Sequence, residues 1–221
     1  DFPFTDGAAL TVKRGVNYEA WVLFDSRYYT GKPTAYLIDR YRFIDSLLTD
    51  NLLIIGCLGA ILVLALYNLL LSLWTASRDY LFYSLYLILT FIGWAAVFKV
   101  FSQTLHVTHS ALIILPFFLN IVANTFFYRH FLALDKHHPV MVRYAQAIAL
   151  VAFILALISP WVPLWLNYSL INAVSTLWLA GGCVAGWVCW HAGYKPARFY
   201  NAGFICMAIS GGLVVLPNFG L

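Results

Sequence analysis

Charge is what this sequence has least of. Only 10% of its 221 residues are Asp, Glu, Lys or Arg, where ordinary globular domains carry about 25%. Between Arg143 and Leu221 the charged side chains are Lys195 and Arg198 alone, in one short segment. Asp79, Asp135 and Lys99 fall at the ends of apolar runs, never in the middle. That argues against ion-coupled transport, which generally needs an ionisable group at membrane depth. No basic stripe is present, and the net charge of +4 is small, so nucleic acid is excluded as a partner. The four cysteines, Cys57, Cys183, Cys189 and Cys206, form no CxxC pair and all sit in apolar runs. They read as small apolar filler rather than a disulfide framework. Ser169, Ser175 and Ser210 lie in apolar runs, but every histidine sits near the end of one. A serine protease acting inside the membrane is thereby excluded. No catalytic constellation, metal set or cofactor motif remains, so the chain is expected to be no enzyme and to hold no cofactor.

What is present is apolar length. The chain is 62% hydrophobic, and six runs from Asn51 to Leu216 are each long enough to cross a bilayer. Backbone in hydrocarbon must satisfy its own hydrogen bonds, so these runs are expected to be helices. The expected spans are residues 51–74, 80–98, 110–128, 144–162, 165–190 and 199–216. The connection over Thr75–Asp79 is very short, which makes its two helices antiparallel neighbours. Ser77 reads as an N-cap, with Asp79 at the positive end of the second span. Pro160 and Pro163 bracket a turn, and Pro196 stands near the start of the sixth span.

The first 40 residues are different. Val16, Tyr18, Ala20, Val22 and Phe24 alternate with their neighbours at period two, as a half-buried strand does. Gly31-Lys32-Pro33 reads as a turn, and Thr34–Ile38 as a second short strand. Two or three strands build no independent core, so residues 1–40 are expected to be the end of a larger β domain. The chain starts at Asp1 without an initiator Met or signal peptide and reads as a fragment or a processed product. Over 41–50 the period changes: Ile44, Leu47 and Leu48 share a helical face, which predicts an amphipathic lead-in to the membrane bundle of 51–221.

Orientation follows from the loops. Arg78, then Arg129, Lys136 and Arg143, then Lys195 and Arg198 fall on alternate connections; the others hold only Lys99. The cation-rich side is expected to be cytoplasmic, with the leading β region outside. Trp94, Trp161 and Trp165 near the outer ends, and Trp74, Trp187 and Trp190 near the inner ends, fit an aromatic belt.

Several motifs occur together: Ala65-Leu66-Tyr67-Asn68, the stretch Ser77-Arg78-Asp79-Tyr80-Leu81-Phe82-Tyr83-Ser84-Leu85-Tyr86, Tyr128-Arg129-His130-Phe131-Leu132, and Ala197-Arg198-Phe199-Tyr200 followed by a Gly-rich helix. Their order and spacing resemble the membrane domain of the bacterial seven-transmembrane receptors with diverse intracellular signalling modules. The resemblance covers about 34–221. It implies a periplasmic sensory domain, carbohydrate-binding-like and β-sandwich in fold, ahead of the bundle. It also implies seven helices and a cytoplasmic output module, commonly a histidine kinase, a diguanylate cyclase or a phosphatase. The chain departs from that pattern by lacking most of the sensor and stopping before a seventh helix.

The fold class expected is thus an all-α polytopic membrane helix bundle, six spans visible and a seventh beyond them, preceded by the end of a periplasmic β-sandwich. The location expected is the bacterial inner membrane, with the N-terminus periplasmic. Six asparagines, Asn68, Asn120, Asn124, Asn167, Asn172 and Asn201, lie in or near spans. A buried amide in hydrocarbon wants a partner. These residues, Asn68 foremost because it lies in a motif, are candidates either for interhelical hydrogen bonds or for a polar pocket. Gly182 and Gly186 form a GxxxG, and Gly181, Gly211 and Gly212 are further glycines within spans. Close packing inside one copy is one use, a homodimer face the other. His106 and His109, spaced i, i+3, lack a third ligand for a metal. His130, Asp135, His137 and His138 cluster in the third connection, either as a solvated loop beside lipid headgroups or as a contact patch for an output module.

The expected function is signal transduction. A periplasmic ligand or protein partner biases the bundle, lipids surround it, and an output module reads it. Two alternatives use the same bundle: a small-solute channel or carrier, and a passive anchor for a cytoplasmic enzyme.

Overall fold

The computed structural model describes residues 37–104 and 111–215, with isolated positions between 11 and 21. Among the described residues the regular structure is helical: α1 (Arg40–Thr75), α2 (Arg78–Val97), α3 (Val100–Thr104), α4 (Ala111–Phe131), α5 (Leu134–His137), α6 (Pro139–Ile158), α7 (Leu164–His191) and α8 (Ala197–Val215), with a 3₁₀ turn at Ser159–Trp161. The strands expected over Val16–Phe24 and Thr34–Ile38 fall mostly outside the described residues. Positions 17–19, 21, 37 and 38, which are described, are not in a strand. His106 and His109 also lie outside the described residues.

Among the described residues four helical segments are long and apolar enough to cross a membrane: Arg40–Thr75, Arg78–Val97, Pro139–Trp161 and Leu164–His191. The expected third and sixth spans coincide with α4, of 21 residues, and α8, of 19. Most large apolar side chains of α1 and α6 point outward, among them Leu53, Leu62, Leu70, Leu150 and Leu157. Hydrocarbon, not water, is the solvent for such a surface.

The helix expected over 41–50 is present at the start of α1. The amphipathic lead-in over 41–50 is not a separate element. It is the first part of a 36-residue helix, about 54 Å long at about 1.5 Å per residue. Asp39 caps it, accepting a hydrogen bond at 3.1 Å from the Tyr41 backbone N–H. Of the three apolar residues expected to share a face there, Leu47 is buried, while Ile44 and Leu48 are exposed. The residue pattern changes at Asp50 because the surroundings change, not because the helix breaks.

The α1–α2 connection is as short as expected. Ala76 adopts φ 51° to end α1, and Ser77 occupies the N-cap of α2 with Asp79 in its first turn. The Ser77 side chain makes no capping bond; its carbonyl accepts from the Ser72 hydroxyl at 3.2 Å. α2 packs between α1 and α4, α4 against α6, and α7 against α8. The Ser84 hydroxyl fixes the first contact by donating across to the Ala65 carbonyl at 2.8 Å. Phe82 stacks on His130 at 5.8 Å, and Tyr194 donates to the Phe131 carbonyl at 3.0 Å. These contacts gather the α1–α2, α4–α6 and α7–α8 connections at one end of the bundle, and with them Arg78, Arg129, Lys136, Lys195 and Arg198.

At that end Arg129 makes a two-point ion pair with Asp135, its shortest N–O distance 2.9 Å. The Asp135 side chain is half exposed, so Asp135→Asn should change stability by less than about 1 kcal/mol, read from the unfolding midpoint in detergent.

Candidate functional site

Three helices leave a cavity of about 410 Å³ between them. Its size is within the range of small-molecule pockets. From α2 come Tyr83 and Tyr86, three residues apart and so on one face. From α4 come Asn124, Phe127 and Phe131, at i, i+3 and i+7. The α8 wall is Phe199, Tyr200, Gly203, Phe204 and Met207. None of these residues is charged.

The wall is a chain of rings. Tyr83 lies 5.1 Å from Phe127, Phe127 stacks on Phe131 at 5.4 Å, and Phe131 lies 6.3 Å from Tyr200. Tyr200 then stacks on Phe204 at 4.3 Å, and Phe204 tilts against Trp178 of α7 at 5.4 Å. Such offset contacts each add about 0.5–1.5 kcal/mol beyond burial. Across the cavity the Tyr86 hydroxyl reaches the Met207 sulfur at 3.8 Å, a weak contact that joins α2 to α8.

The asparagines differ in what they do. Asn120 donates to the Thr90 hydroxyl at 3.0 Å and so joins α4 to α2. Asn68 is buried but donates to Leu64 of its own helix at 2.8 Å; it bonds within α1. Asn124, only 4% exposed, lies one turn after Asn120 and lines the cavity, and its Oδ1 has no hydrogen-bond partner among the described residues. Asn201 is buried in the α7–α8 contact with an unpartnered Nδ2. Asn172 is a correction: it faces outward on α7 and belongs to neither the contacts nor the cavity.

The glycines behave as a packing device. A Cβ placed on Gly182 would collide with the Phe204 ring, and one on Gly186 would collide with Asn201 and come within 2.8 Å of Tyr200 Cδ1. Gly181 faces Tyr144 of α6, whose hydroxyl donates to the Leu177 carbonyl at 2.6 Å. The Gly182–Gly186 face is therefore filled from within the same copy, which removes it as a homodimer surface. Gly211 and Gly212 lie in the last turns of α8, and their packing is outside the described residues.

The motif segments, far apart in sequence, meet in space. Ser84 bonds Ala65, Phe131 and Tyr128 approach Tyr200, and the Cys189 thiol reaches the Leu132 carbonyl at 3.8 Å. The family model described as 7TM diverse intracellular signalling matches residues 50–221. The chain belongs to that family. It is a membrane sensory signalling domain, as the resemblance implied. Comparison with curated proteins and with solved structures gave no match.

Tyr83, Tyr86, Phe131 and Tyr200 lay inside the motif stretches but were not singled out for the cavity. Their spacing carried the signal: Tyr83 and Tyr86, Phe127 and Phe131, and Tyr200 and Phe204 each share a helix face.

Proposed function

We propose that this bundle is the receptor core of a bacterial inner-membrane protein, relaying a periplasmic signal to a cytoplasmic output module. Six helices cross the membrane in this reading: the four of sufficient length and apolarity, with α4 and α8. The end where the cationic connections gather is cytoplasmic, by the bias of Lys and Arg toward that side. The N-terminal end of α1 then projects outward toward a sensory domain that binds a ligand or protein.

The observation that carries the reading is the continuity of α1. A hydrocarbon core of about 30 Å takes about 20 residues, and α1 has 36. The excess is a rigid extension, with no break between what lies outside and what lies within. Rotation or translation at Asp39–Asp50 must reach Thr75, because a hydrogen-bonded helix moves as a body. Ser84 then ties α1 to α2 at Ala65, and α2 presents Tyr83 and Tyr86 to α8. Repacking of α2 against α8 across a cavity is a change between discrete arrangements, the kind that signalling bundles use.

Insertion tests the lever. One to four alanines placed between Thr49 and Asp50 in the full-length receptor rotate the outer segment by about 100° each. Output is expected to shift with one or two alanines and to return toward normal with four, when the net rotation is about 40°. Unchanged output across the series, with normal membrane levels, would refute the relay.

A further inference from the structure

We propose that the cavity between α2, α4 and α8 binds a small, uncharged, largely planar apolar molecule with one hydrogen-bonding group, taken up from the lipid phase. Three independent features define that chemistry. The wall is aromatic on every helix that forms it, which suits a flat ring system or a conjugated chain. Among the described residues no charged side chain lines it, so an ion would be desolvated without compensation. Asn124 supplies the polar contact: it is nearly buried and is the amide among the residues that line the cavity. Its amide offers a donor and an acceptor that exchange places on rotation, so a hydroxyl or a carbonyl is served equally.

Size separates a small molecule from a protein segment. A helix about 10 Å across, rising about 1.5 Å per residue, would place only about one turn in 410 Å³. The space suits a ligand of two or three fused rings better than a helix. Its position gives binding a consequence. The cavity runs from Phe131 and Phe199, beside the cationic connections, to Met207 further along α8, and the Tyr86 hydroxyl bridges it to Met207 from the α2 side. An occupant would hold α8 against α2 and α4. That regulatory role rests on the signalling reading, whereas the binding does not.

Gly203 offers a clean test. It lines the cavity, and a Cβ added there meets nothing within 4 Å, so Gly203→Phe fills the space without a clash at its first atom. The full-length protein in phosphatidylethanolamine–phosphatidylglycerol vesicles is dialysed against 2-naphthol, a neutral flat donor, with protein-free vesicles giving the partition background. Saturable binding in excess of background is expected. Gly203→Phe should abolish it, and Asn124→Leu should weaken it about tenfold, a loss of about 1.4 kcal/mol. Naphthalene-2-sulfonate, charged and of similar shape, should not bind above background.

Partition equal to that of bare vesicles would overturn the proposal. So would saturable binding that Gly203→Phe leaves intact. Disulfide capture of Gly203→Cys by cysteines placed on another helix of the protein would also overturn it, by showing protein in the space. Because binding is read directly, its failure leaves the α1 relay standing, and failure of the insertion series leaves the ligand site standing.

Discussion

Gly186→Leu is expected to prevent α8 from docking on α7. The reason lies at one point of contact. Any side chain on Gly186 starts with a Cβ inside the space of Asn201 and 2.8 Å from Tyr200 Cδ1. Both residues are buried, and Asn201 is on the first turns of α8. Overpacking by even one methyl in a filled site costs about 1–3 kcal/mol, and leucine adds three more carbons. In the membrane no hydrophobic force returns the separated helices to each other; close packing is the main attraction. The displaced α8 also loses the Tyr200–Phe131 and Phe204–Trp178 ring contacts. Gly182→Leu should act likewise through Phe204. Gly56→Ala and Gly59→Ala are the matched controls. A Cβ at either meets nothing within 4 Å, and both are helical, so replacement should be neutral or stabilise by up to about 1 kcal/mol. Unfolding midpoints in a mild detergent titrated with a denaturing one should fall sharply for the first pair and hold for the second. Equal losses in both pairs would show that glycine content, not the α7–α8 fit, is what matters.

This contrast explains how much of the fold was legible in the sequence. The expected spans over 80–98 and 165–190 match α2 and α7 within two residues, because Ser77, Pro163 and the apolar runs mark their ends chemically. The helix over 41–50 was legible from its apolar face, but not its continuity with the first span, because amphipathic and all-apolar stretches obey the same helical geometry and a change of solvent resembles a boundary. α3 and α5 are too short to leave a periodic trace. GxxxG announced close packing at Gly182 and Gly186, but which helix fills a glycine face depends on tertiary arrangement. The same limit hid the cavity: three pairs of ring residues, each regular on its own helix, become a site only where α2, α4 and α8 converge. Asparagines were visible as polar atoms in hydrocarbon, yet polarity alone does not say which way each one points.

Asn167 and Asn172 turn that last point into an experiment, because one substitution should have opposite results five positions apart. Five residues advance a helix by about 500°, so the two side chains point about 140° apart on α7. Asn167 is 3% exposed and donates through Nδ2 to two carbonyls, Ser159 at 2.8 Å and Val162 at 3.1 Å. Those carbonyls belong to the 3₁₀ turn and the residue after it, where Pro163 has no N–H to offer in return. Asn167→Leu removes both bonds. The Ser159 carbonyl keeps a long contact with the Val162 N–H at 3.4 Å, whereas among the described residues no other hydrogen bond to the Val162 carbonyl is present. A buried acceptor stranded in this way costs about 1–3 kcal/mol, and the α6–α7 hairpin should loosen with it. Asn172→Leu takes an amide off the outward face, where its surroundings are lipid, and should be neutral or stabilising, since a polar group there satisfies nothing. Hydrogen exchange at the 159–164 backbone, together with the unfolding midpoint, reads both effects. Matching losses for the two variants would mean that α7 is rotated relative to the lipid, placing Asn172 inside the bundle.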